Sequence, residues 1–348
     1  MKLGTFEWQG RRFVGLVTPD ERHVFDATAA EAAAGEIGLC CLDTMLGLID
    51  SGEAGLDRLR RLWEREGQEA RFLRSLADIK FLPPVPEPRQ LREAALFPGH
   101  ICNAPAGMLR LAAELKGAKP SPREFQPLPF VPAVFRDQPV SYFQNRLNVV
   151  GHGTQISWPR ASHVMDFELE FGVFLSRGGR DIPSAKAGSH IFGYTLYNDL
   201  SARDLQLIES QSGFGPGKSK SFDGANVMGP WIVTPDEIPD PYNLAMAVRV
   251  NGETWASGTS AGMLHSFEDL IVHYSREETL QAGEFLASGT AAGGTGIEIG
   301  RFPGDGDRVE LVADHIGILA NRLVMGGERQ LPEISSCTDD QMAVTSDV

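Results

Sequence analysis

The sequence predicts an α+β protein of mainly β content, in which a small N-terminal domain precedes a large β domain. Three observations predict this class. The chain has 348 residues, 42% of them apolar, which is enough to bury a sizeable core. A proline-rich run over residues 81–88 interrupts all regular structure. Beyond this run, short strand-like segments alternate with glycine-rich turns, and few long helices are expected.

Each part of the chain has its own pattern. Residues 2–26 alternate in short segments separated by Gln9-Gly10 and Pro19-Asp20, which predicts β-hairpins. Residues 27–76 are rich in Ala, Leu, Glu and Arg at helical spacing. We therefore predict a small α+β domain at 1–85, a β domain at 90–325, and a C-terminal tail without periodicity at 326–348.

The composition excludes several classes of partner. The formal net charge of −14 argues against binding to nucleic acid, and an acidic chain does not attract anionic lipid. The four cysteines, at positions 40, 41, 102 and 337, form neither a disulfide framework nor a zinc motif. Charged residues in the first 17 positions leave no room for a signal peptide, and no later run is long enough to span a membrane. We expect a soluble cytoplasmic protein.

The segment 165–173 alternates strictly between apolar residues and acids, which predicts one strand with Asp166, Glu168 and Glu170 on a single face. Neighbouring like charges repel unless a cation offsets them. Ligands that are all oxygen atoms suit a hard ion such as Mg²⁺, Ca²⁺ or Mn²⁺. Taken alone, the pattern fits a metal site and a solvated strand face equally well.

A second acidic position follows about thirty residues later. The apolar run 191–197 ends at Asn198-Asp199, and Ser201 with Asp204 has the spacing of a capping box, which predicts that a helix starts there. Arg203 and Gln206 lie three residues apart on that helix, so both can point back toward Asp199. Without Asp199, surface solvation would explain both side chains.

Two glycine-rich segments attract attention. Residues 212–219 resemble a phosphate-binding loop, but Ser212 stands where the first glycine is needed and the preceding segment is predicted to be helical, so we reject a nucleotide site. Lys220 follows in the same turn. Thr290 lies in a second glycine-rich segment, 287–296, whose backbone could approach a ligand closely.

Several motifs together resemble the fumarylacetoacetate hydrolase family over residues 90–325. They are Asp-Phe-Glu-Leu-Glu from 166, Asn-Asp-Leu-Ser-Ala-Arg-Asp-Leu-Gln from 198, Lys-Ser-Phe from 220 and Ser-Gly-Thr from 288. Each motif is weak singly, but the four in this order are specific. The resemblance implies that the metal ligands are Glu168, Glu170 and Asp199. It implies contacts with substrate for Arg203, Gln206, Lys220 and Thr290.

The family's catalytic histidine is matched by His100. The stretch Gly99-His100-Ile-Cys-Asn103 resembles the fumarylacetoacetase-like form, in which an acid lies seven residues before the histidine. Here that acid is Glu93 where the family form has Asp, so Glu93 is a fourth candidate ligand. The Asn-Tyr-x-x-His-x-x-Glu stretch of many bacterial members is absent. By the same resemblance Glu298 orients His100, and Tyr142 contacts substrate.

The resemblance implies a mixed β-sandwich or β-roll, a homodimer, and a hydrolase that cleaves a carbon–carbon bond in a diketo or acylpyruvate acid, as in aromatic catabolism. A divalent cation, Mg²⁺ before Ca²⁺ or Mn²⁺, would hold the enolate while His100 activates water and Lys220 stabilises charge. Two alternatives stay open. One is lyase or isomerase chemistry on the same site, namely oxo-acid decarboxylation, dehydration of a 2-keto-3-deoxy acid or tautomerisation. The other is a non-catalytic binding protein. Contacts that set specificity are expected in residues 108–137 and 207–217.

Overall fold

The computed structural model describes residues 1–35, 41–121 and 124–326. Over these ranges the chain forms nineteen β-strands: β1 (Lys2–Trp8), β2 (Arg11–Val17), β3 (His23–Asp26), β4 (Leu73–Ser75), β5 (Lys80–Phe81), β6 (Leu91–Ala94), β7 (Ser141–Phe143), β8 (Val149–Gly151), β9 (Gln155–Trp158), β10 (Met165–Asp166), β11 (Glu170–Leu175), β12 (Ile191–Asp199), β13 (Ser201–Ala202), β14 (Asn226–Val233), β15 (Ala245–Val250), β16 (Glu253–Thr259), β17 (Phe285–Ala287), β18 (Arg308–Ala313) and β19 (Gly317–Met325).

The same ranges contain nine α-helices: α1 (Ala27–Ala34), α2 (Met45–Asp50), α3 (Gly52–Glu66), α4 (Pro98–Leu115), α5 (Ala133–Asp137), α6 (Ser184–Ala187), α7 (Arg203–Glu209), α8 (Phe267–Ser275) and α9 (Gly296–Ile299). Most of them are short, and only α3 and α4 exceed ten residues. The prediction of an α+β protein of mainly β content is confirmed.

The largest sheet positions the candidate site. Its strand order is β4-β3-β2-β1-β14-β12-β11-β17-β6-β7, with β5 beside β1 and β8 beside β14. Most neighbours are antiparallel, whereas β8 with β14 and β6 with β17 are parallel. A second sheet has the order β16-β15-β18-β19-β9, and the short strands β10 and β13 pair with each other. The sheets are therefore mixed, as expected.

The N-terminal strands extend the large sheet. β1 and β2 form the predicted hairpin, whose turn places Gln9 at φ 51° and Gly10 at φ 78°, the left-handed conformations that a tight hairpin turn requires. β1 then pairs with β14, Lys2 opposite Val233 and Leu3 opposite Ile232. The division into domains at 1–85 and 90–325 stays a prediction, and all of the tail beyond residue 326 lies outside the described residues.

Two clusters of apolar side chains lie against the large sheet. One joins it to α8 and the second sheet, and includes Phe171 and Phe267 with ring centroids 5.1 Å apart. The other joins it to α1, α2 and α3, and includes Phe174 and Phe285 at 4.8 Å. Burying this apolar surface supplies the main driving force for folding. In the described part of the chain, no helix has the length and apolar character needed to cross a membrane.

The predicted acid strand at 165–173 is wrong in one respect, because it is interrupted. β10 ends at Asp166, β11 begins at Glu170, and Glu168 between them forms an isolated bridge with Thr295. β10 pairs with β13, whereas β11 pairs with β12 and β17. The chain thus changes partners between the two strands, and all three acids are buried instead of lying on an exposed face.

Candidate active site

Three buried carboxylates converge from neighbouring strands of the large sheet. Glu170 begins β11 and Asp199 ends β12, the strand beside it. Glu93 lies in β6, which is joined to β11 through β17. One carboxylate oxygen from each of these three residues lies within 4.8 Å of the other two. The fold therefore brings Glu93, the fourth candidate ligand, together with Glu170 and Asp199.

Several oxygen atoms of this cluster accept no hydrogen bond from the residues that the structure describes. They are both carboxylate oxygens of Glu93, Oε2 of Glu170 and Oδ1 of Asp199, all buried. Buried carboxylate oxygens without partners are costly, because desolvation is not offset by any interaction. A divalent cation ligated by oxygen would satisfy all three residues at once. The residues present therefore fit a hard cation such as Mg²⁺, Mn²⁺ or Ca²⁺.

Proton binding in the metal-free cluster follows from the same crowding. Burial, followed by the charge of Asp199, raises the pKa of Glu93 well above its ordinary value. Burial, followed by the charge of Glu93, does the same for the pKa of Glu170. Burial raises the pKa of Asp199 to about 6, although the Lys220 ammonium acts in the opposite direction. Without a cation, the cluster therefore retains protons that a cation would displace.

Glu168 lies beside this cluster, but its carboxylate is bound by the side chains of Arg203 and Lys220. Its Oε1 accepts a hydrogen bond from Arg203 Nη2 at 2.7 Å, and its Oε2 accepts one from Lys220 Nζ at 2.6 Å. Burial alone would raise the pKa of Glu168, but the charges of Lys220 and Arg203 hold it well below the ordinary value. Glu168 is therefore ionised, and its role as a metal ligand stays a prediction.

Lys220 links Glu168 to the carboxylate cluster. Its ammonium donates to Glu168 at 2.6 Å and to Asp199 Oδ2 at 2.5 Å, and the side chain is 4% exposed. Burial alone would lower the pKa of this ammonium, but the two carboxylates raise it above its ordinary value. Lys220 is thus a buried, charged donor held between Glu168 and Asp199.

Asp166 has an anchoring role that the sequence did not predict. Its carboxylate accepts hydrogen bonds from Arg203 Nε at 2.8 Å, from Thr295 Oγ1 at 2.6 Å and from the backbone N–H groups of Gly296 and Ile297. It therefore fixes the Arg203 guanidinium and, at the same time, the start of α9. Its place in the alternating acid pattern was a signal, although that pattern indicated a metal ligand.

His100 and Glu298 form a hydrogen-bonded pair. His100 Nδ1 lies 2.5 Å from Glu298 Oε1, and Oε2 of Glu298 accepts from Asn103 at 3.1 Å and from Gly293 N at 2.8 Å. Burial would raise the pKa of Glu298, but the bonds from His100 and the other donors lower it. Because the carboxylate is ionised, it accepts a hydrogen bond from Nδ1–H, and the tautomer of a neutral imidazole that fits this bond has Nε2 as its acceptor.

A close helix approach makes this pair possible. α4 carries His100 and α9 carries Glu298, and the two helices pack directly against each other. A Cβ on Gly107 of α4 would lie 2.2 Å from the carbonyl oxygen of Ile297. Only glycine permits this separation, since any side chain would displace α4 from the backbone beside Glu298.

The remaining predicted substrate contacts also surround the cluster. Tyr142 Oη and Gln144 Nε2 both donate to Asp199 Oδ2, at 3.2 and 2.8 Å. Thr290 Oγ1 donates to Glu170 at 3.1 Å. Burial, followed by the charge of Asp199, raises the pKa of Tyr142 well above its ordinary value, so the phenol remains a neutral donor. Gln144 was missed, although its spacing of two from Tyr142 places both side chains on one face.

The helix that follows Asp199 differs in detail from the prediction. Arg203 Nη1 donates to Gln206 Oε1 at 2.8 Å, so these two residues do share a face. The predicted capping box is wrong. Ser201 donates to the carbonyl oxygen of Asp199, and Asp204 accepts from Ser162 Oγ and His163 N. Asp204 instead binds a loop 41 and 42 residues earlier in the chain, a partner that local spacing cannot reveal.

The glycine-rich loop after α7 binds the carboxylate of Glu209, the last residue of that helix. The Glu209 carboxylate accepts hydrogen bonds from Gly217 N at 2.9 Å, from Ser219 N at 3.1 Å and from Ser219 Oγ at 2.5 Å. Glu209 therefore already binds two of the backbone donors that a phosphate in this loop would use. This geometry supports the rejection of a nucleotide site.

A cavity of about 480 Å³ opens above the cluster. Its floor contains Glu93, Glu168, Glu170, Arg203 and Lys220, together with His100, Tyr142, Gln206 and Thr290. Its outer wall is formed by apolar side chains of α4 and by residues 128, 132, 135 and 216. All the predicted site residues except Asp199 and Glu298, which lie just behind them, thus line one space.

The fold and the site define a protein built on mixed β-sheets, with a buried carboxylate cluster and a histidine–glutamate pair at the base of one cavity. The model of the fumarylacetoacetate (FAA) hydrolase C-terminal domain matches residues 112–324. The chain belongs to the fumarylacetoacetate hydrolase family.

The relatives of this chain carry more than one activity. It is 31% identical over 332 residues to oxaloacetate tautomerase YisK of Bacillus subtilis (strain 168), covering 93% of this chain and 100% of that one. A fumarylacetoacetate hydrolase from Exiguobacterium antarcticum has 26% identity and a TM-score of 0.66, covering 94% and 100%. Maleylpyruvate hydrolase from Sphingobium sp. SYK-6, solved with manganese(II) and pyruvate, has 21% identity and a TM-score of 0.65, with the same coverage.

Proposed function

We propose that this protein is a divalent-metal-dependent hydrolase that cleaves the carbon–carbon bond between C3 and C4 of a 2,4-dioxo acid. The observation that carries the proposal is the His100 ring, which Glu298 holds through Nδ1 at the wall of a cavity floored by unpartnered carboxylate oxygens. This arrangement supports a role for His100 as general base beside a site suited to an electron-accepting cation.

The cation would be held by Glu93, Glu170 and Asp199, with Glu168 as a further candidate ligand. When bound, it would chelate two oxygens of the dioxo acid and carry the negative charge of the enolate that leaves. The Sphingobium enzyme, which shares this fold, was solved with manganese(II) and pyruvate. Pyruvate is also one of the two products of cleaving a 2,4-dioxo acid between C3 and C4.

His100 acts on water in this proposal. The Glu298 carboxylate keeps the Nδ1 proton in place, so Nε2 accepts a proton as the water oxygen attacks C4. The C3–C4 bond then breaks, and its electron pair passes into the enolate of pyruvate. The imidazolium returns its proton to C3, so water supplies a hydroxyl group to the acyl product and a hydrogen to pyruvate.

The other polar side chains orient the substrate. Lys220 and Arg203 are fixed cations at the floor, and Gln206 and neutral Tyr142 are hydrogen-bond donors beside them. Such preorganised donors stabilise the substrate carboxylate and the oxyanion at C4, each contributing roughly 3 kcal/mol to the transition state.

A second candidate is tautomerisation of a 2-oxo dicarboxylic acid such as oxaloacetate. It is favoured by the 31% identity to an oxaloacetate tautomerase over nearly the full length of both chains. In this reaction His100 would move a proton between C3 and the enol oxygen of the substrate, and no water would be consumed. The two candidates therefore differ in whether solvent oxygen enters a product.

The test uses the purified protein with Mg²⁺ or Mn²⁺ in water enriched in oxygen-18. Hydrolysis of 2,4-dioxopentanoate should yield pyruvate and acetate with one labelled carboxylate oxygen in acetate, and His100→Gln should lower the rate by at least a hundredfold. His273→Gln, on α8 away from the cavity, should leave the rate unchanged. Accelerated loss of enol-oxaloacetate without cleavage of any dioxo acid would support the tautomerase. Stabilisation by metal without either reaction would support a non-catalytic binding protein.

A further inference from the structure

One face of α4 leads away from the reacting groups. His100, Ile101, Ala104, Pro105 and Met108 all line the cavity, at the spacing that places side chains on one side of a helix. At a rise of 1.5 Å per residue, Met108 lies about 12 Å along the helix axis from His100. Beyond His100 this face carries only apolar groups, so it forms a hydrocarbon wall about two helical turns long.

A second apolar wall faces this helix. It consists of Leu128, Pro132, Phe135 and Pro216. Leu128 N donates to the carbonyl oxygen of Cys102 on α4 at 2.9 Å, which ties the wall to the helix. His265 Nε2 lies 2.8 Å from the carbonyl oxygen of Phe135 and must donate to it, because a carbonyl oxygen can only accept. The wall is therefore attached at two points.

The charges of the cavity are all at its floor. Among the described lining residues the only arginine or lysine side chains are Arg203 and Lys220, and each already forms an ion pair with Glu168. No charged side chain described in the structure lines the walls formed by α4 and residues 128–135. A carboxylate at that end would gain no cationic partner from the described lining residues and would displace water from apolar side chains.

We propose that these two walls form a binding site for an uncharged hydrocarbon or aryl tail, so that the substrates are 2,4-dioxo acids with apolar acyl groups. The inference rests on the proposed function for the position of the acyl carbon at His100. The tail then extends from C4 along α4 toward Met108, in the direction away from the carboxylate cluster.

The first test compares acids that share the same reacting end. With Mg²⁺ bound, kcat/KM should be at least tenfold higher for 2,4-dioxononanoate and for 4-phenyl-2,4-dioxobutanoate than for 2,4-dioxopentanoate. The terminal carboxylate of 2,4-dioxononanedioate, which matches the nonanoate in length, should lower kcat/KM at least tenfold. Equal rates across the series, or a preference for the dicarboxylate, would overturn the proposal.

A binding measurement separates the tail site from the chemistry. Pyruvate, 2-oxooctanoate and 2-oxooctanedioate lack the second carbonyl group and cannot be cleaved. Calorimetric titration of the Mg²⁺-loaded protein should show at least tenfold tighter binding of 2-oxooctanoate than of the other two. If the dioxo acids are not cleaved but this order holds, the hydrolase proposal fails and the tail site stands. If the dioxo acids are cleaved and affinity does not increase with chain length, the tail site fails alone.

A matched pair of variants locates the tail. Met108→Arg places a cation in the apolar wall and should reduce the preference for 2,4-dioxononanoate over 2,4-dioxononanedioate at least tenfold. Leu109→Arg adds the same charge one residue further along α4, where the side chain is 57% exposed and does not line the cavity. It should keep the wild-type preference. Thermal unfolding of both variants verifies that α4 is intact, and an equal effect of the two substitutions would contradict the proposed path.

Discussion

The carboxylate cluster should make the stability of the metal-free protein depend on pH in an unusual direction. A raised folded-state pKa means that the native protein binds more protons than the unfolded chain at the same pH. Stability from Glu93, Glu170 and Asp199 is therefore fully present below the unfolded pKa values near 4 and is lost as pH rises through the folded values. Most ion-paired acids behave in the opposite way.

Asp199 provides a magnitude. Its pKa moves from 3.8 to about 6 on folding. Linkage converts this shift into about 3 kcal/mol between pH 3 and pH 8, of which about 1 kcal/mol is lost between pH 5 and pH 7. His152, His190 and His273 oppose this trend, because burial lowers their pKa values and their contribution to stability is lost as pH falls. The comparison is therefore made against Asp199→Asn, which shares these histidines.

The assay is urea unfolding in the presence of a chelator at pH 5, 6 and 7. The free energy of unfolding of the wild type, relative to Asp199→Asn, should fall by about 1 kcal/mol from pH 5 to pH 7. Exposed Asp314 supplies the control. The free energy of unfolding of the wild type relative to Asp314→Asn should not change between pH 5 and pH 7. A relative stability that is constant or increases over this range would refute the assignment of a raised pKa to Asp199.

Adding a cation should reverse the trend. At pH 7, Mg²⁺ or Mn²⁺ at a hundred times its Kd should raise the free energy of unfolding by about 3 kcal/mol. Because the cation must displace protons from the cluster, its apparent affinity should decrease as pH falls below 6. Asp199→Asn should abolish most of this stabilisation. A gain that is independent of pH would mean that the cation binds elsewhere.

Three further substitutions test the groups around the cluster. Glu298→Gln should lower kcat by about 10² to 10⁴ with little change in KM, because His100 loses its orienting carboxylate. Steady-state kinetics measure both parameters. A rise in KM as large as the fall in kcat would contradict the orienting role. Asp166→Ala should cost about 3 to 5 kcal/mol in urea unfolding, since it leaves Arg203 without its buried partner at 2.8 Å; a loss below 1 kcal/mol would refute the anchor. Gly107→Val should lower kcat at least tenfold while metal affinity, measured by calorimetry, stays unchanged; loss of metal affinity would show that the damage extends beyond α4.

Parts of the fold and site could be read from the sequence because their causes are local. The β1–β2 hairpin follows from alternation around Gln9-Gly10, and the position of Asp199 follows from an apolar run that ends there. The shared face of Arg203 and Gln206 follows from helical spacing. Such features depend on a few neighbouring residues, so a single sequence contains them.

Other parts depend on partners far away along the chain. Alternation predicted a continuous strand at 165–173, but the strand is interrupted after Asp166, whose carboxylate binds backbone N–H groups at positions 296 and 297. Lys220 donates a hydrogen bond to Glu168, which lies 52 residues earlier in the chain, and no spacing rule predicts this contact. His100 and Glu298 are 198 residues apart, and only the family resemblance suggested that they pair. The predicted roles of these residues, and the homodimer, await the experiments above.

The pairing of β1 with β14 affects how the chain can fold. β1 pairs early with β2 and β5, but Lys2 and Leu3 meet their partners in β14, Val233 and Ile232, only after more than 220 further residues have been synthesised. Until then, one edge of the N-terminal hairpin is open to other strands. Pairing over such a distance along the chain is intrinsically slow and leaves intermediates prone to association. Refolding yield should therefore decrease at high protein concentration, and the central sheet should be completed among the last steps of folding.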